Sequence, residues 1–364
     1  MSVPSIHASG SGRLRHLPEF DENRVDSPET RDNHHVGGTS GSEERELQLL
    51  DLAVVCVTWN SEDHLPALLR SLDAGLDGLV WRLWVVDNGS VDTTVAVVDG
   101  LLPEAVVVQT GFNAGYAAAI NAGVRAVPPR TPVLVLNPDV RLDSGCGVAL
   151  LRTLHSGGGR TGIAVPVQRD TDGRLHPTLR RSPTVVRALG ESLLGGRRAG
   201  RLGVGEMVMD PQAYRADAQV DWATGSVMAI SHSCLKAVGE WDERFFLYSE
   251  ETDFAQRAAD RGYVLRLAPV ATCEHARGDS HTRPTLWALL TTNRVRLFAK
   301  RHNGPHTFAF LMALLLGELL RSLRGSATHR AAVAALLRGE RGSAALIRNL
   351  QEQPSSASSD LRSD

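Results

Sequence analysis

Lysine is nearly absent from this sequence. Among its 364 residues only Lys236 and Lys300 are lysines, and arginine supplies the other basic side chains. The net charge of −2 gives no reason to expect nucleic acid as a partner. The first residues contain no apolar segment like that of a signal peptide, so we expect none. Hydrophobic residues make up 42% of the chain, which is sufficient for a sizeable core.

Cysteine is also scarce. The four cysteines, Cys56, Cys146, Cys234 and Cys273, are far apart and form no C-x-x-C pair. Cys56 lies in an apolar run, which indicates a buried and unreactive thiol. A reducing cytoplasm is the location that this cysteine usage predicts.

No hydrophobic run reaches the roughly 20 residues that are needed to cross a bilayer. The best candidate is 308–320, whose apolar part is followed by Glu318 and Arg321. This segment is either a helix packed on the core or an interfacial helix. In the second case, arginines at 321, 324, 330, 338 and 341 would face anionic lipid.

Composition divides the chain into four parts. Residues 1–48 contain few large apolar side chains, so we expect a disordered tail there. We expect a main domain at 49–301, C-terminal helices at 302–350 and a second disordered tail at 351–364.

Hydrophobic periodicity predicts an α/β fold. Short apolar runs at 52–57, 83–86, 106–108 and 132–136 are typical of buried strands. Helical patterns at 64–72 and 115–127 alternate with them. This alternation favours a mostly parallel twisted sheet flanked by helices, with a helical C-terminal extension.

The pattern is weaker beyond Asp139. We expect a long loop at 190–218, where no clear period is visible. The remaining predicted elements are a strand at 226–230, a helix at 251–261, a strand at 264–267 and a helix at 285–301. Since 268–274 shows no helical pattern, His275 is expected on a loop.

Polar side chains follow the first two predicted strands. Thr58, Asn60 and Glu62 come after the first strand, and Asp87 ends the second. Ligands of open α/β sheets bind at the carboxyl ends of strands, so these groups could contact a ribose or a base. Ordinary turn and helix-cap chemistry is the alternative, because the same residue types serve it.

A glycine-containing segment, 111–116, precedes the second predicted helix. It includes Asn113 and Gly115, and the helix N-terminus behind it suits a phosphate. The segment is not G-x-G-x-x-G, so a Rossmann dinucleotide site is not supported. Tight helix packing is the alternative use of such small residues.

Two acidic clusters lie more than a hundred residues apart. Asn137-Pro138-Asp139 follows a predicted buried strand, where Asp139 could hold a divalent ion that bridges phosphate oxygens. His275 could be a second ligand, although a lone histidine is more often structural. The second cluster contains Glu250, Glu251 and Asp253. A carboxylate there could act as a general base, or all three could simply favour a helix N-terminus.

Order and spacing of eight short segments narrow these alternatives. They are VTWN (57–60), VDNGS (86–90), NAGY (113–116), LNPD (136–139), DWATGS (221–226), FFLYSEETD (245–253), HARGDS (275–280) and NR (293–294). Because these segments occur in the order and spacing of that family, residues 52 to about 301 resemble family 2 glycosyltransferases of the GT-A fold. Within that family they resemble bacterial rhamnosyltransferases that extend a polyprenyl-diphosphate-linked sugar.

The resemblance implies which residues bind the donor, the acceptor and the metal. The nucleotide sugar would be bound by Thr58, Asn60, Glu62, Asp87, Asn113, Gly115 and Asn137. The acceptor side would be lined by Trp222, Thr224, Gly225 and Glu250. Asp139 corresponds to the last residue of the family's D-x-D element, and His275 corresponds to its later metal-binding histidine.

Glu251 corresponds to the catalytic base, and Asp253 is the alternative carboxylate for that role. Two departures from the family pattern affect these assignments. Asn137 replaces the first Asp of D-x-D, which leaves the metal fewer charged ligands. Glu251 stands where the family usually has Asp, which adds a methylene at the base position.

The resulting expectation is an inverting sugar transfer that depends on Mg²⁺ or Mn²⁺. The expected donor is a nucleoside diphosphate sugar, with dTDP-rhamnose as the first choice. The expected acceptor is a polyprenyl-linked or cell-envelope glycan. The expected location is the cytoplasm, with peripheral binding to the inner face of the plasma membrane as the alternative. A nucleotidyltransferase would need a basic, glycine-rich phosphate loop near the N-terminus, and none is visible. A nucleotide-sugar-binding protein without transfer activity is the non-enzymatic alternative.

Overall fold

The structure is a computed structural model that describes residues 5–7, 50–156, 158–276 and 283–352. Of the two tails expected at 1–48 and 351–364, it describes only 5–7, which form a strand, and 351–352, which end a helix. The other tail residues lie outside the described residues, so their expected disorder stays a prediction.

Strands and helices alternate in the first part of the chain, as the periodicity predicts. In chain order the elements are β1 (Ser5–His7), β2 (Leu52–Thr58), α1 (Leu65–Gly75), β3 (Trp81–Asp87), α2 (Thr94–Leu101), β4 (Val106–Gln109), α3 (Tyr116–Ala126), β5 (Val133–Leu136), β6 (Val140–Leu142) and α4 (Cys146–Ser156).

Short strands and longer helices follow. They are β7 (Thr161–Arg169), β8 (Leu175–His176), β9 (Leu179–Arg180), α5 (Val185–Leu194), α6 (Gly196–Arg201), β10 (Gln219–Val220), β11 (Trp222–Ala223), β12 (Val227–Ile230), α7 (His232–Val238), α8 (Glu250–Asp260), β13 (Val264–His275), α9 (Pro284–Ala299), α10 (Gly304–Ser322), α11 (Ala327–Arg338) and α12 (Glu340–Glu352).

Two predictions about the second part are wrong. The segment predicted as a long loop, 190–218, contains the second half of α5, all of α6 and a short 3₁₀ turn. Leucines of α5 are exposed at Leu189, Leu193 and Leu194, so no single apolar stripe marks the helix in the sequence. His275 ends β13 rather than lying on a loop, because the strand continues through an irregularity between Ala268 and Thr272.

The central sheet is a mixed one with a parallel core. Its order within the described residues is β1-β4-β3-β2-β5-β12-β7-β13-β10, with β6 and β8 pairing at the side. Strands β4, β3, β2 and β5 are mutually parallel, as predicted. β12 runs antiparallel between β5 and β7, and β13 is parallel to β7. The carboxyl ends of β2, β3, β5, β7 and β13 therefore lie along one edge of the sheet.

Helices cover both faces of this sheet. Alternate residues of β2 point to opposite sides: Val54 and Cys56 belong to one hydrophobic cluster, whereas Val55 and Val57 belong to the other. The first cluster includes leucines of α1, and the second includes Ile120 of α3. A strand buried on both faces has a continuous apolar sequence, which explains why the first strands were visible as apolar runs.

The C-terminal helices pack on the main domain. Phe298 of α9 stacks on Phe310 of α10 with ring centroids 4.1 Å apart, and Ala188 of α5 joins the same cluster. Leu350 of α12 packs with Phe246. One side of the 308–320 segment is therefore a core-packed helix face. Within the described residues, no helix combines the length and apolar character that spanning a bilayer requires.

A strained segment, the 245–249 loop, leads directly into α8. Phe246, Tyr248 and Ser249 have positive φ angles of 64°, 70° and 74°. Non-glycine residues rarely adopt this region, which costs on the order of 1 kcal/mol or more for each. The fully buried side-chain amide of Asn293 in α9 holds the loop. Its Nδ2 donates to the carbonyl oxygens of residues 245, 247 and 248, at 2.7, 2.9 and 3.2 Å.

We predict that Asn293→Asp lowers the free energy of unfolding by at least about 2 kcal/mol. The substitution replaces the donating nitrogen with a carboxylate oxygen. The three hydrogen bonds are lost, and the negative oxygen lies against three carbonyl oxygens that repel it. Chemical denaturation measures the loss. The matched control is Asn303→Asp, because Asn303 caps α10 through Oδ1 and Asp caps helices equally well. An equal loss at both positions would contradict the special role of Asn293.

Candidate functional site

The predicted donor-binding residues meet at the carboxyl edge of the sheet. Thr58 ends β2 and Asp87 ends β3, and the two residues are paired neighbours in the parallel register. The Thr58 hydroxyl lies 3.4 Å from Asp87 Oδ1, and Asp87 Oδ2 accepts a hydrogen bond from the Ser90 backbone N–H at 3.1 Å. Both side chains are buried, so the second strand ends in an ordered carboxylate.

Asn60 and Glu62 fasten the loop after β2 to the start of α2. The Asn60 N–H donates to Ser90 Oγ at 2.9 Å, and its Oδ1 accepts from the Val91 N–H at 3.0 Å. Glu62 Oε2 accepts from both the N–H and the hydroxyl of Thr93, the residue before α2. These are the turn and helix-cap contacts that the sequence offered, for both residues, as the alternative to a binding role.

Asn113 and Gly115 also have structural partners. Asn113 Oδ1 accepts from Asn88 Nδ2 at 2.9 Å and from the Gly115 N–H at 3.2 Å. Gly115 has φ +91°, and a Cβ atom there would lie 2.4 Å from Phe246 Cδ2 and 2.7 Å from the Phe246 carbonyl oxygen. Only glycine fits at this position. Close packing against the 245–249 loop therefore accounts for Gly115.

Tyr116 lies between the donor side and the carboxylates of α8. Its hydroxyl donates to Asn137 Oδ1 at 2.8 Å and lies 3.4 Å from the Gly225 carbonyl oxygen. Burial raises the pKa of Tyr116 well above its ordinary value, and the nearby Glu250 carboxyl adds to the rise. The neutral hydroxyl thus orients Asn137, the residue that replaces the first acid of the D-x-D element.

Asp139 and His275 meet as the resemblance implies. His275 pairs with Val140 across β13 and β6, and its Nε2 lies 3.2 Å from Asp139 Oδ1. The buried Nδ1 of His275 has no hydrogen-bond partner. The His176 ring stacks on His275 with centroids 5.8 Å apart.

This pair fits a divalent ion that is shared with a diphosphate. Mg²⁺ is commonly bound by one or two protein carboxylates while substrate phosphates complete the coordination, and imidazole suits transition metals. Across the described residues, no group of three or more His, Cys, Asp or Glu side chains could hold a metal alone. The ion would therefore depend on donor oxygens for most of its ligands.

Glu250 and Glu251 begin α8 at the end of the strained loop. Burial raises the pKa of Glu251 to about 7. The pKa of Glu250 is raised well above its ordinary value, first by burial and then by Glu251 beside it. In each residue Oε2 is buried and has no hydrogen-bond partner. The Glu251 carboxyl can therefore hold or release a proton near neutral pH, whereas the higher pKa of Glu250 favours its protonated form.

Asp253 occupies a different environment on the same helix. Its Oδ2 lies 2.7 Å from Arg257 Nε, and its Oδ1 forms an ion pair with Lys300 Nζ. The side chain is 1% exposed. Two cations therefore neutralise this carboxylate within the core, which favours a structural role over proton abstraction.

The predicted acceptor residues approach Glu251 through a small two-stranded ribbon. Trp222 and Ala223 of β11 pair with Arg180 and Leu179 of β9. The Trp222 indole donates to the Arg181 carbonyl oxygen at 3.0 Å. Next along the chain, the Thr224 N–H donates to the Thr178 carbonyl oxygen at 3.1 Å.

Gly225 continues from this ribbon to the carboxylates. A Cβ atom built on Gly225 would lie 3.2 Å from Glu251 Cβ, so the backbone passes directly beside the glutamate. The Arg180 guanidinium lies 5.8 Å from the Trp222 ring centroid. Its positive charge stabilises the ionised form of Glu251 and partly offsets the rise in pKa that burial causes. The ribbon thus places an aromatic ring and a cation near the candidate base.

Sequence reasoning did not identify Tyr116, His176 or Arg180 as site residues. Tyr116 gave a signal, because it is an aromatic residue directly after Gly115 at a helix start. His176 and Arg180 lie on strands of two residues each, and strands this short leave no periodicity to detect. Only the folded chain brings them to the carboxyl edge.

Comparison with known proteins identifies the family of the chain. Residues 53–189 match the model of the family described as glycosyl transferase family 2. An N-acetylglucosaminyl-diphospho-decaprenol L-rhamnosyltransferase of Mycobacterium tuberculosis is 30% identical over 268 residues, which cover 70% of this chain and 85% of the relative. The low-salt glycan biosynthesis hexosyltransferase Agl10 of Haloferax volcanii is 26% identical over 242 residues, covering 66% of this chain and 71% of that protein.

A solved structure shows the same fold. GalNAc-T7, crystallised with UDP, GalNAc and Mn²⁺, superimposes with a TM-score of 0.51 at 15% sequence identity. The match covers 68% of this chain and 47% of that chain, so it spans about half of the longer protein. With the family match and the identity to the M. tuberculosis enzyme, this likeness confirms the predicted fold. The chain belongs to glycosyl transferase family 2, has the GT-A fold and is a glycosyltransferase.

Proposed function

We propose that this glycosyltransferase moves rhamnose from dTDP-rhamnose, with inversion, to a hydroxyl group of a polyprenyl-diphosphate-linked or cell-envelope glycan. The observation that carries the proposal is the buried Glu251 carboxyl, whose pKa is raised to about 7 beside the acceptor ribbon. The printed name of the M. tuberculosis relative supports the donor sugar and the lipid-linked acceptor.

Glu251 is the proposed general base. In its ionised form it accepts the proton of the acceptor hydroxyl while that oxygen forms a bond to the anomeric carbon of the donor. The bond between the anomeric carbon and the diphosphate oxygen breaks in the same displacement, and attack from the opposite face inverts the configuration. A base whose pKa lies near neutrality is well matched to this proton transfer.

Asp139 and His275 are the proposed metal ligands. Mg²⁺ or Mn²⁺ bound there would neutralise charge on the departing diphosphate. Asn137 contributes no charge, and its carbonyl oxygen already accepts from the Tyr116 hydroxyl. We propose that Asn137 orients the donor by hydrogen bonding, which leaves Asp139 as the acidic metal ligand.

Thr58, Asn60, Glu62 and Asp87 form the proposed nucleoside side. Asp87 is the strongest candidate, because its buried carboxylate ends a central strand and can accept from the imide N–H of thymine. Trp222 and Arg180 form the proposed acceptor side, where an indole face suits a sugar and a guanidinium suits a phosphate. A lipid-linked acceptor would place the protein at the inner face of the plasma membrane.

The first prediction concerns the metal. Asp139→Asn removes the charged ligand at nearly constant shape, so we expect Mn²⁺-dependent turnover of dTDP-rhamnose to fall at least about a hundredfold. The rise in melting temperature that dTDP-rhamnose causes with Mn²⁺ should also disappear, because that shift requires binding. Asp172→Asn is the control, since Asp172 pairs with Arg174 on an exposed turn. Full activity of the wild type in EDTA would exclude the metal role.

The second prediction separates the two candidate bases. Glu251→Gln should keep donor binding and folding but lose at least about a hundredfold in kcat. Asp253→Asn should reduce kcat much less and lower the melting temperature, because Arg257 and Lys300 lose a charged partner. The opposite pattern would assign the base to Asp253. If neither variant changes kcat, neither carboxylate is the base. If the wild type binds the donor but transfers no sugar, the protein is a nucleotide-sugar-binding protein without transfer activity.

The third prediction concerns pH. Below pH 7, kcat/KM should fall about tenfold per pH unit, because only ionised Glu251 can accept the proton. The free energy of unfolding should change in the opposite direction and decrease as pH rises. A folded pKa above the unfolded value of 4.5 stabilises the protein at low pH, and this contribution disappears as pH rises through about 7. The melting temperature of Glu251→Gln relative to wild type should therefore rise between about pH 4.5 and 7. A pH-independent difference would contradict the raised pKa.

A further inference from the structure

An apolar surface lies on helices α5 and α10. Along α10 and at the residue that follows it, the exposed large apolar side chains are Phe308, Met312, Leu316, Leu319, Leu320 and Leu323. Their spacing of three or four residues places them on one face of the helix. The opposite face, with Phe310, Ala313 and Leu314, is buried in the protein. Helix α10 is therefore apolar on both sides, although only one side is packed.

Helix α5 extends this surface. Its exposed apolar side chains are Val186, Leu189, Leu193 and Leu194. The two helices touch closely, because Ser192 Oγ donates to the Ala313 carbonyl oxygen at 2.6 Å and a Cβ on Gly317 would lie 2.6 Å from that Oγ. We call the exposed apolar residues of α5 and α10 the docking face. A continuous apolar surface of this kind usually marks an interaction site.

A cavity of about 240 Å³ opens where the two helices meet. It is lined by Ser192, Leu193, Leu194, Gly195, Arg198, Leu320, Arg321 and Arg324. The lining contains three arginines and no carboxylate among the described residues. Arg198 and Arg324 are exposed, whereas Arg321 Nη2 donates to the Glu191 carbonyl oxygen at 2.7 Å and its Nη1 lies 3.7 Å from Glu318 Oε1. Guanidinium groups beside leucines suit a phosphate that carries an apolar chain.

We propose that the docking face binds a bilayer that contains anionic phospholipid, with a lipid headgroup phosphate in the arginine-lined cavity. The inference deepens the proposed function, because a polyprenyl-linked acceptor resides in such a bilayer. Apolar side chains enter the interface between headgroups and acyl chains, and the arginines meet the negative surface. A second copy of the chain fits less well, since a symmetric contact would bring the three arginines against their own equivalents.

Flotation with lipid vesicles tests the proposal. The wild type should float with vesicles of phosphatidylcholine and phosphatidylglycerol, bind vesicles of phosphatidylcholine alone at least about tenfold more weakly, and be partly released by salt. Leu320→Asp and Arg324→Glu should each weaken binding to the anionic vesicles at least about tenfold. Unchanged melting temperatures establish that these exposed substitutions leave the fold intact.

Matched controls lie elsewhere on the surface. Val270→Asp places the same charge at an apolar side chain that is 80% exposed in β13, and Arg152→Glu reverses an exposed arginine of α4. Both should bind vesicles as the wild type does. The proposal is overturned if the wild type binds neither vesicle or if the controls lose as much as the docking-face variants. It is also overturned if sedimentation shows a stable dimer that Leu320→Asp dissociates.

An activity measurement keeps this proposal separate from the transfer reaction. With a short-chain, water-soluble acceptor, Leu320→Asp should retain the wild-type kcat/KM within about twofold. With a long-chain polyprenyl-linked acceptor in anionic vesicles, it should lose about tenfold, in step with the lost binding. Equal losses on both acceptors would overturn the docking role. If the wild type transfers to neither acceptor, the proposed function fails, whereas the vesicle measurement still decides the docking face.

Discussion

The contact between the Asn293 amide and the 245–249 loop determines where the candidate base lies. Three residues of this loop have left-handed backbone conformations, and such a turn persists only when its surroundings compensate the strain. Asn293 supplies donors to three of its carbonyl oxygens, and the Phe246 carbonyl accepts from the Tyr116 N–H at 2.6 Å. The loop therefore joins α9 to α3 before it starts α8. Glu250 and Glu251 come immediately after it, so their position is set by contacts distant in sequence.

Three acids on the first turn of α8 show how environment assigns roles to identical chemistry. Asp253 faces Arg257 and Lys300 and is paired within the core. Glu250 and Glu251 form no ion pair with a described residue, and burial raises the pKa of each. A structural acid favours a paired, ionised state, whereas a base must exchange a proton near neutral pH. The helix dipole alone would favour all three equally and cannot explain the difference.

The sequence predicted the parallel strands and the acidic edge well, because strands buried on both faces leave continuous apolar runs. It offered His275 as a second ligand beside Asp139, and the resemblance strengthened that pairing, since no spacing connects residues 136 positions apart. Helix α5 was not predicted, because its exposed leucines obscure the helical periodicity of its apolar residues. The strand β13 was predicted too short, because its pairing with β7 is irregular in the middle. Glu62 and Gly115 were predicted to bind the donor, and that role stays a prediction, because their observed partners are those of caps and close packing.

Helix α9 connects the proposed docking face to the loop before the candidate base. Asn293 holds the loop before Glu251, and the next residue, Arg294, lies 2.9 Å from Glu191 of α5. The Glu191 carbonyl oxygen in turn accepts from Arg321 of α10. Two neighbouring residues of one helix therefore contact both regions. Because packed helices move little relative to one another, a bilayer bound at α5 and α10 would lie at a fixed height relative to Glu251. That geometry would restrict transfer to hydroxyl groups at one distance from the membrane, which is a property a lipid-linked acceptor requires and a soluble one does not.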